Sequence, residues 1–538
     1  MDTSPRATII TGGPIHTMAS SRSSPEAVLA IDARIVVVGR LEDCEAVAPP
    51  GIDRFDLAGS TLLPGFVDAH THPLMLGQCL SWADLSQASS ADEIVKLLTE
   101  HDRDSAADGP IRGFGYDHHR LDGDEHPTAG QLDQVSTDRP VEIMHASGHG
   151  YVVNHASLRQ AGIDTSTPTP PGGRIDRDRD NRPTGLIFDA ACDLLTGVDG
   201  VKITNHGPNL HLPETIPTLD AMLDLGMDTL SRAGITSTCD CQVTEREMTT
   251  WLRARDDDRM TLRVSMMVLS SHLDHLEGLG LGAPLGDDLL QLGGLKLYAD
   301  GALTGGTAYV PCGCPVNHRT GYLFHDEAEF EELLVRAHRL GLQTGTHAQG
   351  PAPIGMVLDA IAAAQSLYPR ADVRHRIEHC GFPTDEQVDR MMELGVVAVP
   401  QATQVHQYGD GAFREYGDIA ERMYPLGLFE RAGMDVVVSS DAPVTMPDVF
   451  MALWTAVTRR ASSGRVIGTE YAVDVDTALR GYTMNAARAM HREHAIGSIE
   501  PGKLADFVVV NDDPLAVETD ALRDIQIEQT WLGGRPLR

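Results

Sequence analysis

Lysine is nearly absent from this 538-residue chain: Lys96, Lys202, Lys296 and Lys503 are four of 43 basic residues, and arginine supplies the rest. Basic charge as a whole is outnumbered, since 77 Asp and Glu residues leave a formal net charge of −34. A surface that acidic repels phosphate backbones and anionic lipids, so neither nucleic acid nor a membrane is expected as a partner. Cysteine is sparse too. Eight in a chain of this length exclude a disulfide scaffold and point to a reducing, cytoplasmic setting. No stretch reaches the ~20 apolar residues that cross a bilayer. The opening MDTSPRATIITGG has no basic start followed by an apolar block, and no signal peptide is expected.

The remaining composition is 42% hydrophobic and 22% charged, which suits a large buried core. The length corresponds to roughly three to four typical domains. Residues 7–13, 27–39 and 55–65 read as short apolar or alternating strands ended by Gly and Pro, and residues 497–515 and 525–537 answer in kind. Two β-rich ends around a different middle predict one small β-sandwich domain built from residues 1–63 and 496–538. The middle alternates strand and helix. Strands are expected at 61–73, 234–242, 261–269, 293–301, 342–350, 374–380, 395–403 and 434–443. Eight such units predict an α/β fold, a (β/α)8 TIM-like barrel over residues 64–79 and 206–495. Residues 80–205 are too many for one crossover and are Gly/Pro-rich and polar, so they are expected to form an inserted cap subdomain after the first strand, at the barrel mouth.

Chemistry concentrates at the ends of these strands. Asp68-Ala69-His70-Thr71-His72 closes the first, and residues i and i+2 of a strand face the same way, so both imidazoles can share one metal ion. Lys296, His347, His379 and Asp441 fall toward the C-terminal halves of four further strands. That end is where barrels of this kind carry their active sites. Each has an ordinary explanation alone: a hydrogen-bonded core histidine, a surface lysine, an aspartate capping a helix. Five strands would need such explanations at once, and a shared metal site is the simpler account. Imidazoles and carboxylates suit Zn²⁺ and related divalent ions, one or two of them. An ammonium among cations is repelled, whereas a neutral Lys296 amine can add CO₂ and become an anionic carbamate that bridges two metals. Arginine cannot do this, which fits a lysine kept in a chain that otherwise favours arginine. Asp441 can bind metal and take the proton from a bound water that then attacks a carbonyl.

With these residues in place, the sequence resembles the metal-dependent amidohydrolase superfamily, amidohydrolase family 3, in the branch similar to N-substituted formamide deformylases. The resemblance runs over almost the whole chain. It includes PGFVDAHTHP, SGHGYVVNHASLRQAGI, RPTGLIFDAA, KLYADGALTGGTAY, THAQG, RIEHC, SSDAPV and PGKLADFVVV. It implies one metal at His70, His72 and Asp441, a second at His347 and His379, and Lys296 between them. It also implies hydrolysis of a C–N bond in an amide, formamide, urea or cyclic amide of small size. The segment holding His149 is placed near substrate by the same resemblance, so His149 is a candidate substrate contact. Two departures stand out. The family's Gly-Asp after the strand-five histidine is Gly350-Pro351 here, in His347-Ala348-Gln349-Gly350-Pro351, so that carboxylate is gone, and its Gly-Ser-Arg beyond Asp300-Gly301 gives way to Thr304-Gly305-Gly306. These changes imply a substrate other than the branch's commonest one.

Alternative readings remain at this stage. A deaminase, decarboxylase or isomerase could use the same metals, since fold does not fix reaction. An inactive binding scaffold would be favoured by lost ligands, and none of the six is lost. Cys239 with Cys241, and Cys312 with Cys314, read as thiols rather than metal ligands. The sequence is also compatible with a homodimer.

Overall fold

Seven parallel strands hydrogen-bond side by side at the centre of the molecule, in the computed structural model that describes residues 7–20, 24–105, 109–310 and 321–537. In spatial order they are Phe66–Thr71, Ile235–Val243, Arg263–Leu269, Leu290–Tyr298, Gln343–Ala348, Arg376–His379 and Val397–Val399. Their residues are buried on both faces almost throughout, as a parallel sheet covered by helices requires. Helices such as Glu327–Arg339, Pro351–Leu367 and Asp385–Leu394 lie between successive strands. The result is a nearly closed TIM-like barrel.

The expected eighth strand, 434–443, closes the gap without forming a regular ladder. Asp441 donates its amide to the His70 carbonyl (2.9 Å), His72 donates to Ala442 O (2.9 Å), and Ser439 donates to Pro400 O (3.2 Å). The segment therefore touches strand one on one side and the end of strand seven on the other. Its irregularity has a cause: the Ser440 amide is taken by the Asp68 carboxylate (3.2 Å) rather than by a neighbouring strand. Asp441 also turns the chain with φ +59°.

Register brings the candidate residues level. Lys296 pairs with Gly345, Tyr298 with His347, and Ala348 with His379, all toward the C-terminal ends of their strands. His72 sits at the start of helix Pro73–Leu80, which packs almost backbone to backbone on helix Ile216–Arg232. A Cβ on Gly77 would lie 1.6 Å from Met222 O, and one on Gly226 would lie 2.0 Å from Pro73 O. Only glycine admits that approach.

Around the barrel lie three further sheets. Ala7–Thr11, Ala27–Ile31, Arg34–Gly39 and Asp53–Asp56 form one; Thr61–Pro64, Phe507–Val510, Ile527–Leu532 and Arg535–Pro536 form another. Ile10, Val28, Leu62, Phe507, Val509 and Trp531, drawn from both of these sheets, share one buried cluster. Between residues 80 and 205 the chain builds a six-stranded sheet, including Ile111–Tyr116, Val141–His145 and Pro183–Asp189. Among the described residues no helix is long and apolar enough to cross a membrane.

One ion pair fastens the C-terminal sheet to the barrel. Arg263, at the start of the third barrel strand, donates from Nε (2.6 Å) and Nη2 (3.0 Å) to the two carboxylate oxygens of Asp506, and both side chains are buried. Asp506 is the acid of the PGKLADFVVV motif. Removing one member of such a pair strands the other without water. Asp506→Ala should therefore destabilise the protein by about 3–5 kcal/mol, read as a lower urea midpoint, and the paired change Arg263→Met with Asp506→Leu should cost less.

Candidate functional site

Burial and the hydrogen bonds behind each ring decide what the strand-end histidines can do. His70 is fully buried, and its Nδ1 lies 2.5 Å from Glu378 Oε2. Glu378 is itself buried and accepts two bonds from Arg376, Nε to Oε1 (2.7 Å) and Nη2 to Oε2 (2.8 Å). An ionised carboxylate only accepts, so Nδ1 of His70 carries the proton. Its Nε2 is left with no hydrogen-bond partner, 3.5 Å from Asp441 Oδ1.

The same logic holds at the other rings. Gln401 donates through Nε2 to Val399 O (2.9 Å) and Ser439 Oγ (3.0 Å), so its Oε1 is the atom facing His379 Nδ1 at 2.7 Å. His379 thereby donates from Nδ1 and keeps Nε2 as a lone pair. His347 donates from Nε2 to the Gly301 carbonyl (3.1 Å), which leaves Nδ1 free to ligate. His72 places Nε2 3.4 Å from Asp441 Oδ1. Burial, before all other causes, holds His70, His347 and His379 well below the usual histidine range, so all three are neutral. Neutral rings, each turned by a fixed acceptor, are the form in which histidine binds metal.

Ligand atoms of His70, His72 and Asp441 lie within 4.8 Å of one another. The His347 and His379 ring centroids are 4.3 Å apart, and those of His70 and His379 are 4.9 Å apart. Lys296 is fully buried, its Nζ has no hydrogen-bond partner and lies 4.8 Å from the Tyr298 ring centroid, and burial lowers its pKa against the pull of neighbouring Cys241, Glu378 and Asp441. The six strand-end residues line one pocket, together with His149 from the 80–205 segment. His149 holds Nδ1 2.7 Å from Asp189 Oδ1, and its ring centroid lies 5.3 Å from that of His347. Tyr322 donates its hydroxyl to the other Asp189 oxygen.

Several residues here were not singled out in the sequence: Glu378, Arg376, Gln401, Gln404 and Asp189. Glu378 was readable in principle. Arg376 and Glu378 alternate inward along a strand, whereas His379 reaches the same site because its φ of +67° ends the alternation. Gln404 donates from Nε2 to Asp441 Oδ2 (3.1 Å) and accepts the Tyr424 hydroxyl (2.7 Å). Gln349 lines the pocket, and its Oε1 is buried without a hydrogen-bond partner. Cys239 and Cys241 are free thiols behind the site, each accepting from Arg376 at 3.6 and 3.8 Å. Cys312 and Cys314 lie outside the described residues.

A family model described as "Amidohydrolase family" matches residues 53–538. The chain belongs to the amidohydrolase family. Among curated relatives it is similar to an N-substituted formamide deformylase of Arthrobacter pascens, 29% identical over 98% of each chain. It is similar as well to the putative amidohydrolase YtcJ of Bacillus subtilis (strain 168), 27% identical over 97% of this chain and 98% of that one. The solved structure of an uncharacterized metal-dependent hydrolase from Pyrococcus horikoshii OT3 superposes with a TM-score of 0.77 at 24% identity, covering 96% of this chain and 99% of that one. That likeness concerns the fold.

Room for the Glu378 carboxylate depends on the glycine of the adjacent strand. A Cβ on Gly345 would lie 2.6 Å from Glu378 Oε1 and 2.6 Å from Met267 Sδ. Gly345→Ala should cost about 1–3 kcal/mol by overpacking in chemical denaturation, and should turn Glu378 away from His70.

Proposed function

We propose that this protein is a metal-dependent hydrolase that cleaves a C–N bond of a small amide, formamide or cyclic amide. The observation that carries this reading is the set of neutral, pre-oriented ring nitrogens at one barrel mouth, with His70 Nε2 and Lys296 Nζ buried and without a hydrogen-bond partner. Such atoms are costly to bury unless something binds them. His70, His72 and Asp441 would hold one divalent ion, with Zn²⁺ the best match to imidazole and carboxylate. His347 and His379 would hold a second, with Lys296 between the two as a carbamate. Burial favours the neutral amine that reaction with CO₂ requires. When bound, the metal supplies a Lewis acid and an acidified water.

The protein's own groups then divide the remaining work. Asp441 presents Oδ1 to His70 and His72 while Gln404 holds Oδ2. It accepts the proton of the attacking water at its carboxylate and passes it to the leaving nitrogen. His149, braced through Nδ1 by Asp189, offers Nε2 to the substrate. The relative from Arthrobacter pascens supports a formamide or other N-acyl substrate. Gln349, a neutral amide on the pocket wall with Oε1 unbonded, supports a neutral group on the substrate there. The reading divides the chain into a β-sandwich domain (1–63 and 496–538), a catalytic barrel (64–79 and 206–495) and a cap (80–205), working in the cytoplasm.

Chelator treatment should abolish hydrolysis in a screen of formamides, N-acyl amines and hydantoin-like rings, and Zn²⁺ or Mn²⁺ should restore it. Undiminished turnover after metal removal verified by elemental analysis would reject the reading. At Lys296, arginine keeps the charge but cannot be carboxylated. Lys296→Arg should lose at least one equivalent of bound metal, and Lys296→Glu should retain more metal than the arginine variant.

A further inference from the structure

A second group of histidines lies away from the barrel mouth, in the segment Asp117-His118-His119-Arg120 through His126 and at His145. It borders a cavity of about 760 Å³ lined by His118, His119, His126, Arg174, Arg414 and Glu415, among others. Glu415 comes from helix Ala402–Tyr416 of the barrel, so the cluster straddles the seam between the 80–205 segment and the barrel.

We propose that His118, His119 and Glu415, flanked by His126, form a second transition-metal site that clamps the 80–205 segment to the barrel. Their ligand atoms lie within 4.8 Å of one another. A hydrogen-bonded cluster accounts for part of the arrangement: His118 Nδ1 lies 3.1 Å from His145 Nε2, and Tyr116 Oη lies 3.1 Å from His126 Nδ1. It does not account for His119. That side chain is 7% exposed, yet neither ring nitrogen has a hydrogen-bond partner, and Nε2 lies 3.4 Å from Glu415 Oε1. An imidazole buried so is unfavourable unless a ligand takes its lone pair. Its backbone is nonetheless fixed from both sides, with the amide donating to Asp117 Oδ1 (3.0 Å) and the carbonyl accepting from Arg414 Nη2 (3.0 Å). The His118 ring lies 4.0 Å from that of His119 and stacks at 4.1 Å on that of His126. Several imidazoles with one carboxylate select Zn²⁺, Cu²⁺, Ni²⁺ or Co²⁺ over Mg²⁺ and Ca²⁺.

The site has a route to the barrel mouth. His118 Nδ1 lies 3.1 Å from His145 Nε2. His145 Nδ1 accepts the Ser147 amide (3.1 Å) and also lies 2.9 Å from Ser147 Oγ. Ser147 Oγ accepts the His149 amide (3.2 Å). Metal at the seam would thus order the loop that carries His149.

The test uses tag-free full-length protein dialysed against Zn²⁺, with the metal-to-protein ratio measured for the wild type, His119→Gln and, separately, Glu415→Gln. Each variant should bind one equivalent less than the wild type, and Zn²⁺ should raise the wild-type Tm by more than that of either variant. Co²⁺ substitution should add visible absorption that His119→Gln removes while the barrel contribution stays. An unchanged ratio in either variant overturns the proposal. Because the readout is the difference between proteins with the same barrel ligands, it does not depend on what the barrel centre binds or hydrolyses.

Discussion

The carboxylate of Glu378 is buried in the barrel with no water to hold its charge, a state that is stable only when neighbouring donors meet it. Arg376, two residues earlier on the same strand, meets it with two hydrogen bonds, and the same guanidinium donates to the Ala69 carbonyl of the first strand (2.6 Å). The remaining demand of Glu378 falls on His70. Three consequences follow from that single charge. His70 must be protonated at Nδ1, its Nε2 lone pair must face Asp441, and strands one and six are tied through the barrel interior. Asp441 in turn hangs its amide on the His70 carbonyl. The segment that completes the barrel and the pocket that it borders are therefore set from one ion pair.

The positions of the strand-end residues were legible because two periodicities coincide there. Alternation along a strand selects the inward residues, and the barrel rule selects the C-terminal end. Alternation paired His70 with His72, the strand-end rule found Lys296, His347, His379 and Asp441, and all six line one pocket. Which ring nitrogen faces the pocket was not legible. It depends on Glu378 of another strand, and on Gln401 and the Gly301 carbonyl, which lie just beyond the ends of two further strands. The eighth strand shows the same limit from the other side. Its apolar run MDVVVSS has strand character, but Asp68 takes the Ser440 amide, a contact across most of the chain that local pattern cannot reveal.

The strands of the 80–205 segment went unread for a compositional reason. Its loops are long, polar and rich in Gly and Pro, and they hide strands of four to seven residues such as Val141–His145, Gly150–Val153 and Pro183–Asp189. These strands are buried almost throughout and pair into a sheet with its own apolar core, including Leu98, Ile111, Val141, Ile143, Val152 and Phe188. A core of that kind gives the segment rigidity that a loop lacks. Residues on its edge can then be held to the tolerances that binding needs.

His149 and Asp189 illustrate what that rigidity allows. Both belong to this segment, and Asp189 adopts φ +52° and ψ −128°, a backbone region that non-glycine residues avoid. Strain of this sort persists where surrounding bonds outweigh it. Here the Asp189 amide donates to the His149 carbonyl (2.8 Å), its carboxylate faces His149 Nδ1, and Tyr322 closes the remaining oxygen. The two residues are fixed to each other by bonds within the segment, and Tyr322 from outside it braces the pair. The barrel contributes the imidazoles, the lysine and Asp441, whereas the segment brings a finished histidine–aspartate pair to the same pocket. In the proposed reading, the ligands of the centre and a group that faces the substrate are thereby carried on separate segments of the chain. Substitutions within residues 80–205 can reshape what His149 meets while leaving the hydrogen bonds behind His70, His347 and His379 intact.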